Sequence, residues 1–401
     1  MKILIMAAGS HGDVAPYTGL GAHLRVAGHE VALAAPEPFG GLVADSGLDF
    51  RPLPADPRGS TGERSNLLAK AAAFIGRLGD GLADAAAPGA DLLLLATTTA
   101  PLGWHLAEAM NVPSAGVYLQ PTLPTGEFPP VVGGTRSLGR WGNRAAGAVG
   151  QRVVDRLHTD AARRLRTRLG LLPLAQGAQR RARERENWPV LHGFSPTPVP
   201  RPADWRDGLR VVGTWWPYVA PDYRLPREVE DFLQAGPPPV FIGFGSMAAG
   251  DGERLSALAV DALRRVGVRG VVQAGWAGLA GDGDGVLTVG EIPHAHLFPR
   301  MAAVVHHAGA GTSAAALRAG VPSVPVPVMA DQPFWASRLA GLGAAPAPVP
   351  YATLTAEGLA DAIRQAVEER DLRIRAEAAA REMAKEDGAT RVAEVVAGLA
   401  G

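Results

Sequence analysis

His306-His307-Ala308-Gly309-Ala310-Gly311-Thr312 follows the short apolar run Ala303–Val305, and Asp331-Gln332 follows a second apolar run, Ser323–Val328. Apolar run, small-residue turn and the alanine-rich Ser313–Arg318 predict a strand that passes through a glycine turn into a helix. Backbone N–H groups at such a helix start have no acceptor within the helix, and the helix dipole adds partial positive charge, so the turn is built for an anion. Gly309 and Gly311 allow close backbone approach, and Thr312 can cap the helix or donate. His307 adds a ring donor, and a positive charge when protonated. Two adjacent histidines also suit a metal or a strand end in the core. No Asp, Glu or Cys stands at ligand spacing, which disfavours the metal.

Asp331-Gln332 lies where the second strand ends. In open α/β sheets ligands bind in the crevice beyond the carboxyl ends of the strands. An acid and an amide side by side supply acceptors and donors for hydroxyl groups, with Trp335 as an apolar face. Working back along the chain, Val240–Phe244 leads into Gly245-Ser246, Gln273-Ala-Gly-Trp276 ends another strand, and Gly290-Glu-Ile292-Pro-His294 ends a third. These loops line the same crevice, with Ser246 a candidate phosphate contact and Trp276 and Ile292 candidates beside a nucleobase. Core packing competes for Trp276. Asp282-Gly-Asp284 resembles a metal-binding pair, but its glycine-flanked setting reads as a turn.

The same rhythm runs through the first half, with strands predicted at Lys2–Ala8, Glu30–Ala34, Asp91–Ala96 and Ser114–Leu119. Short buried strands alternating with longer helical patterns predict parallel sheets covered on both faces. The expected organisation is a first Rossmann-like domain over 1–213, a linker over 214–226, a second Rossmann-like domain over 227–380, and a C-terminal helical segment over 381–401 that packs back on the first domain. From Asp361 to Leu399 the periodicity nominates Ile363, Val367, Leu372, Ile374, Val392, Val395 and Val396 as buried. Pro54–Asn66 has no periodicity and reads as a loop.

The chain has 401 residues, with Lys+Arg and Asp+Glu both 39, so its overall field selects neither nucleic acid nor an anionic membrane. Ten arginines fall within Gln151–Glu186. Val153, Leu157, Ala161, Leu165 and Leu169 recur there at helical spacing, so the arginines are expected on the solvent side of an amphipathic helix, with peripheral membrane contact a less favoured reading. There is no cysteine, hence no disulfide or thiolate site. The apolar start is too short for a signal-peptide core and no apolar run reaches membrane-spanning length, which points to the cytoplasm.

In the first half, the predicted first strand runs into Gly9-Ser10-His11-Gly12-Asp13-Val-Ala-Pro16. This is not the G-x-G-x-x-G of dinucleotide sites, so NAD and FAD are disfavoured. Asp13 at a helix start is either a structural cap or a general base directed into the interdomain cleft.

Together these residues resemble the GT-B family of UDP- or dTDP-sugar-dependent glycosyltransferases, in its bacterial natural-product and sterol glucosyltransferase branch. Gly9–Pro16 is similar to that branch's G-x-x-G-D-x-x-P turn, His306–Thr312 to its H-H-G-G-A-G-T motif, Asp331-Gln332 to its sugar-reading D-Q, and Ile292-Pro-His294 to its base-side loop. The resemblance implies two doubly wound domains facing across a cleft and an inverting transfer without a metal or a cofactor beyond the nucleotide-sugar co-substrate. It implies Asp13 as base, His307 on the pyrophosphate, and donor contacts from Ser246, Gly309, Ala310, Gly311 and Thr312. Ala308 stands where the family more often has glycine, and His11 where it often has arginine. Ser10 and His11 are candidates to support phosphate or base, with His105 and Glu127 further candidates for orienting Asp13. Gln120–Pro130, rich in proline, suggests a hydrophobic acceptor such as a sterol, macrolide, polyketide or polyphenol. A nucleotide-sugar epimerase or hydrolase, or a non-catalytic nucleotide-sugar or lipid-binding module, are the alternatives.

Overall fold

The computed structural model describes residues 1–54, 67–245, 251–275, 278–281, 283 and 285–399. Among the described residues twelve strands, all paired in parallel, form two sheets. The first holds β1 (Lys2–Met6), β2 (Glu30–Pro36), β3 (Asp49–Leu53), β4 (Leu92–Leu95), β5 (Ser114–Tyr118), β6 (Val190–His192) and β7 (Leu209–Val211). The second holds β8 (Val240–Gly243), β9 (Gly270–Gln273), β10 (Val286–Val289), β11 (Ala303–His306) and β12 (Ser323–Pro325).

Helices α1 (His11–Val26), α2 (Gly40–Asp45), α3 (Leu67–Ala86), α4 (Ala100–Met110), α5 (Gly139–Arg168) and α6 (Gln176–Arg185) accompany the first sheet. The second half carries α7 (Arg227–Gln234), α8 (Gly252–Val266), α9 (His294–Leu297), α10 (Ala310–Arg318), α11 (Gln332–Gly341), α12 (Ala356–Glu368), α13 (Arg370–Met383) and α14 (Gly388–Leu399).

Strand order is β3-β2-β1-β4-β5-β6-β7 in one sheet and β10-β9-β8-β11-β12 in the other. In each, the order reverses beside the first strand, between β1 and β4 and between β8 and β11. That reversal splays the adjoining loops apart and opens a crevice beyond the strand ends. The β1 turn carrying Asp13 and the β11 turn carrying His307 therefore both leave from reversal points.

Near-continuous apolar strands such as Leu92–Leu95 are buried on both faces, as parallel sheets require. Three strands go beyond the sequence expectation. β3 reads Asp-Phe-Arg-Pro-Leu, and β6 and β7 are three residues each, too short for a period to register. The expected single C-terminal helical segment is three helices. Ile363, Leu372, Val392 and Val396 are buried, whereas Ile374 is 45% exposed. Val392 and Val396 on α14 pack with Ile3, Ile5 and Leu20 of the first sheet's layer. From the Gly213–Pro226 stretch, the Trp215 indole donates to the Gly388 carbonyl at 3.3 Å.

Long α5 departs from its expected packing. Ala161 and Leu165 are buried, but Val153, nominated for the same stripe, is 52% exposed. Arg166, expected in solvent, is buried and forks onto the two Glu108 carboxylate oxygens at 2.7 and 3.0 Å. No described helix is long and apolar enough to cross a membrane.

Candidate functional site

Asp13 sits in the first turn of α1, and its Oδ2 accepts hydrogen bonds from the Ser10 backbone N–H at 2.8 Å and the Ser10 hydroxyl at 2.9 Å. This reciprocal arrangement satisfies the helix start and fixes the carboxylate. Its other oxygen has no hydrogen-bond partner among the described residues. The cap of α1 is Ser10, not Asp13 as the structural reading of an acid at a helix start expected; Asp13 sits three residues further on and bonds back to Ser10, a half-buried carboxylate with one oxygen to spare.

The carboxylate folds over Gly9. Gly9 has φ +148°, and a Cβ there would stand 2.4 Å from Asp13 Oδ2. The turn is braced from behind, where the Thr98 and Thr99 hydroxyls donate to the Ala8 and Met6 carbonyls at 2.7 Å. Gly9→Ala should therefore cost about 1–3 kcal/mol, from the disfavoured backbone and the collision. Urea unfolding of the variant beside the parent checks this; an unchanged midpoint would contradict the geometry.

Ser10 is the residue that orients Asp13; His105 and Glu127 are engaged elsewhere, and His11 lies in the same turn. His105 Nδ1 is engaged by Arg166 at 2.9 Å, and burial with the Arg166 charge holds its pKa down to about 4. Glu127 Oε1 accepts from the Ala203 N–H at 2.7 Å. His11 lies edge-on to Phe39 with ring centroids 6.2 Å apart.

On the opposite side, α10 begins at Ala310 with Gly309 as an extended N-cap, and among the described residues no neighbour lies within 4 Å of where a Gly311 Cβ would be. The helix start therefore opens onto free space. The His307 ring lies across two glycines: a Cβ on Gly309 would meet its Nε2 at 2.5 Å, and one on Gly245 its Cε1 at 3.3 Å. Burial lowers the His307 pKa to about 4, so the ring is neutral near pH 7, where the sequence had also allowed a charge. His307 Nδ1 is buried without a hydrogen-bond partner among the described residues.

His306 faces the core, and its Nδ1 accepts from the Ala308 N–H at 3.1 Å. Ala308 has φ +62°, which explains why glycine is the commoner residue in the motif it resembles: here an alanine tolerates a left-handed position.

Asp331 stands at the N-cap position of α11 without bonding a helix N–H through its side chain, and the Trp335 indole N–H donates to its Oδ2 at 2.9 Å. Trp335 is 4% exposed and packs edge-on to Phe194, so it positions Asp331 and does not present a free apolar face. An Asp and a Trp four apart on a helix could have signalled that pair. Gln332 Oε1 accepts from the Val328 and Met329 N–H groups at 2.8 and 3.1 Å. Its acceptor is thus used within the turn, leaving the amide NH2 as the outward function. Ile292 is 6% exposed and packed with Val289, Leu297 and Phe298, so its side chain belongs to the core. Ser246, Trp276, Asp282, Asp284 and most of Pro54–Asn66 lie outside the described residues.

The two turns face each other. α1 contacts α10, and Phe128 from the loop after β5 packs on Phe334 of α11 with centroids 5.3 Å apart. Burial raises the Asp331 pKa, the Trp335 hydrogen bond opposes that, and the Asp13 charge raises it further. The two acids therefore share one electrostatic environment across the cleft. His294 likewise is held at about 4 by burial, with smaller effects of His11 from one side and His307 from the other. Among the described residues, no three His, Cys, Asp or Glu side chains gather as a metal cage. A separate cavity of about 430 Å³ lies beside the cleft, lined by Phe128, Pro198, Phe334 and Arg338.

Such a pair of doubly wound sheets, with an acid at one reversal point and an open helix start at the other, is the GT-B arrangement. Residues 3–86 match the glycosyltransferase family 28 N-terminal domain, and residues 274–399 match the erythromycin biosynthesis protein CIII-like C-terminal domain. The chain is 36% identical over 411 residues to the O-mycaminosyltylonolide 6-deoxyallosyltransferase of Streptomyces fradiae, covering 97% of this chain and 95% of that one. It is 32% identical over 416 residues to a sterol 3-beta-glucosyltransferase of Arabidopsis thaliana, covering 97% of this chain but 64% of the relative. The chain thus spans less than two thirds of that plant enzyme's length. The glycotransferase of kitacinnamycin superposes with a TM-score of 0.75 at 20% identity, over 100% of this chain and 99% of that one. The chain belongs to this family of GT-B glycosyltransferases.

Proposed function

We propose that the protein transfers a sugar from a UDP- or dTDP-sugar to a hydroxyl of a hydrophobic small molecule, in the cytoplasm, with inversion and without a resident metal. The observation that carries this reading is the placement of Asp13, with a free carboxylate oxygen, across the cleft from the open start of α10 and the Asp331-Gln332 pair at the start of α11.

The acceptor oxygen attacks the anomeric carbon as its proton passes to Asp13, and the bond from that carbon to the diphosphate oxygen breaks with its electron pair leaving on the diphosphate. N–H groups of Ala310, Gly311 and Thr312, with the neutral His307 ring, stabilise the departing charge in a low-dielectric cleft. Asp331 and the Gln332 amide hold the sugar hydroxyls. Relatives named for a sterol and for O-mycaminosyltylonolide support a bulky, largely apolar acceptor.

Incubating donor and acceptor panels and reading products by mass tests the reading. A product heavier by one sugar supports it. Free sugar or an epimer formed from donor alone would favour the hydrolase or epimerase alternative, and thermal stabilisation by nucleotide without turnover a binding module. Gly309→Ala should raise the donor KM by about tenfold or more while leaving acceptor KM unchanged, because the new methyl displaces His307 from the phosphate side. Initial rates across donor concentration measure it, and an unaltered donor KM would contradict the role of His307.

A further inference from the structure

We propose that the loop preceding α5 and the N-terminal half of α5 form a docking face for an anionic lipid surface. Residues 132–141 are all exposed, including Val132 and Leu138, and Trp141 is 89% exposed. Two turns on, Val149 is 54% exposed, and Val153 is exposed as well. At 3.6 residues per turn, Trp141, Ala145, Val149, Arg152 and Arg156 share one side of the helix. This is the side opposite Asn143 and Gly147, which are buried against the loop after β5.

The charge pattern identifies the occupant. Between Glu127 and Asp155 there is no acidic residue and no lysine, but four arginines: Arg136, Arg140, Arg144 and Arg152. Arg144 reaches Asp204 at 3.1 Å and Asp155 is taken by Arg180 at 3.0 Å. Arg136, Arg140, Arg152 and Arg156 have no ion-pair partner among the described residues. An exposed tryptophan and valines rimmed by unpaired guanidinium groups match the boundary between anionic headgroups and acyl chains. A second copy of the chain would set these arginines against their own counterparts. Nucleic acid would leave the apolar centre without a partner.

The face adjoins the cleft. Asn143 Nδ2 donates to the Gly126 carbonyl at 3.2 Å, and that loop carries Phe128, whose ring lies on Phe334 beside the Asp331-Gln332 pair. An apolar acceptor dissolved in a bilayer would thus be presented at the cleft mouth. That consequence rests on the proposed transfer reaction, whereas the docking does not.

Co-sedimentation of the purified full chain with vesicles of phosphatidylcholine alone, and of an equimolar mixture with phosphatidylglycerol, tests the docking without donor or acceptor. The chain should bind the mixed vesicles and not the neutral ones, and added salt should release it. Arg140→Gln and Arg152→Gln should each weaken the partition about fivefold. Trp141→Glu combined with Val149→Glu should abolish binding while the thermal midpoint stays unchanged, since both side chains are exposed. Absence of binding to the mixed vesicles, or binding indifferent to these substitutions, would overturn the proposal. So would a dimer by light scattering that the Trp141→Glu and Val149→Glu double variant converts to monomer in the absence of vesicle binding. Because no sugar chemistry is involved, such a failure leaves the transferase reading standing.

Discussion

Asp13→Asn should lower kcat by about 10²- to 10⁴-fold, the usual contribution of a positioned general base, while leaving the affinity for UDP or dTDP within about twofold. Asparagine is nearly the shape of aspartate, and its side-chain oxygen can still accept from the Ser10 N–H and hydroxyl that now hold Oδ2. The helix start therefore survives and only the basicity is lost. Nucleotide affinity is spared because the proposed phosphate contacts come from the opposite side of the cleft, at Ala310–Thr312 and His307. Ser10→Ala offers the complementary case: the base remains but loses one of its two restraints, so kcat should fall by a smaller factor, roughly tenfold. Single-turnover rates and nucleotide calorimetry on both variants separate chemistry from binding. Near-normal turnover in Asp13→Asn would reduce Asp13 to a structural partner of the Ser10 cap.

The long parallel strands were legible because burial on both faces leaves an uninterrupted apolar run, as in Leu92–Leu95, bounded by turn residues. β3, β6 and β7 were not, since at an edge or at three residues in length pairing with neighbours decides the strand and no pattern accumulates. The Gly-rich turns were also legible, because the chemistry that demands glycine is local. Gly9 must leave room for Asp13, and Gly309 for His307. What the sequence concealed was the tertiary assignment of side chains that suit two roles. Trp335, Ile292 and His105 each carry a plausible site chemistry, yet packing commits them to an indole–carboxylate bond, the core of the second domain and the Arg166 network. On α5, period alone indicated one continuous buried stripe; only the positions of the neighbouring elements show that cover ends before Val153.

Stability should fall steeply as the pH drops from about 6.5 toward 4, because several histidines are folded away in their neutral form. Burial holds His105, His294 and His307 at about 4 and His192 at about 3, and lowers His306 well below its ordinary value. In the unfolded chain each titrates near 6.5, so between the two values the unfolded state binds more protons and is favoured. The contribution is therefore complete above pH 6.5 and lost as the pH falls through that window. Five such groups give an uptake approaching five protons on unfolding, and at about 1.4 kcal/mol per proton and pH unit that exhausts an ordinary folding free energy within about two units. Glu108, held low chiefly by its hydrogen bond to Arg166, adds to the acid loss. Asp331 and Glu386, raised by burial, act in the opposite sense, favouring the fold as they protonate. Thermal midpoints between pH 4.5 and 8 measure the slope, and His105→Gln, whose amide oxygen can still accept from Arg166, should flatten it by close to one proton. A flat midpoint down to pH 5 would contradict the neutral burial of these rings.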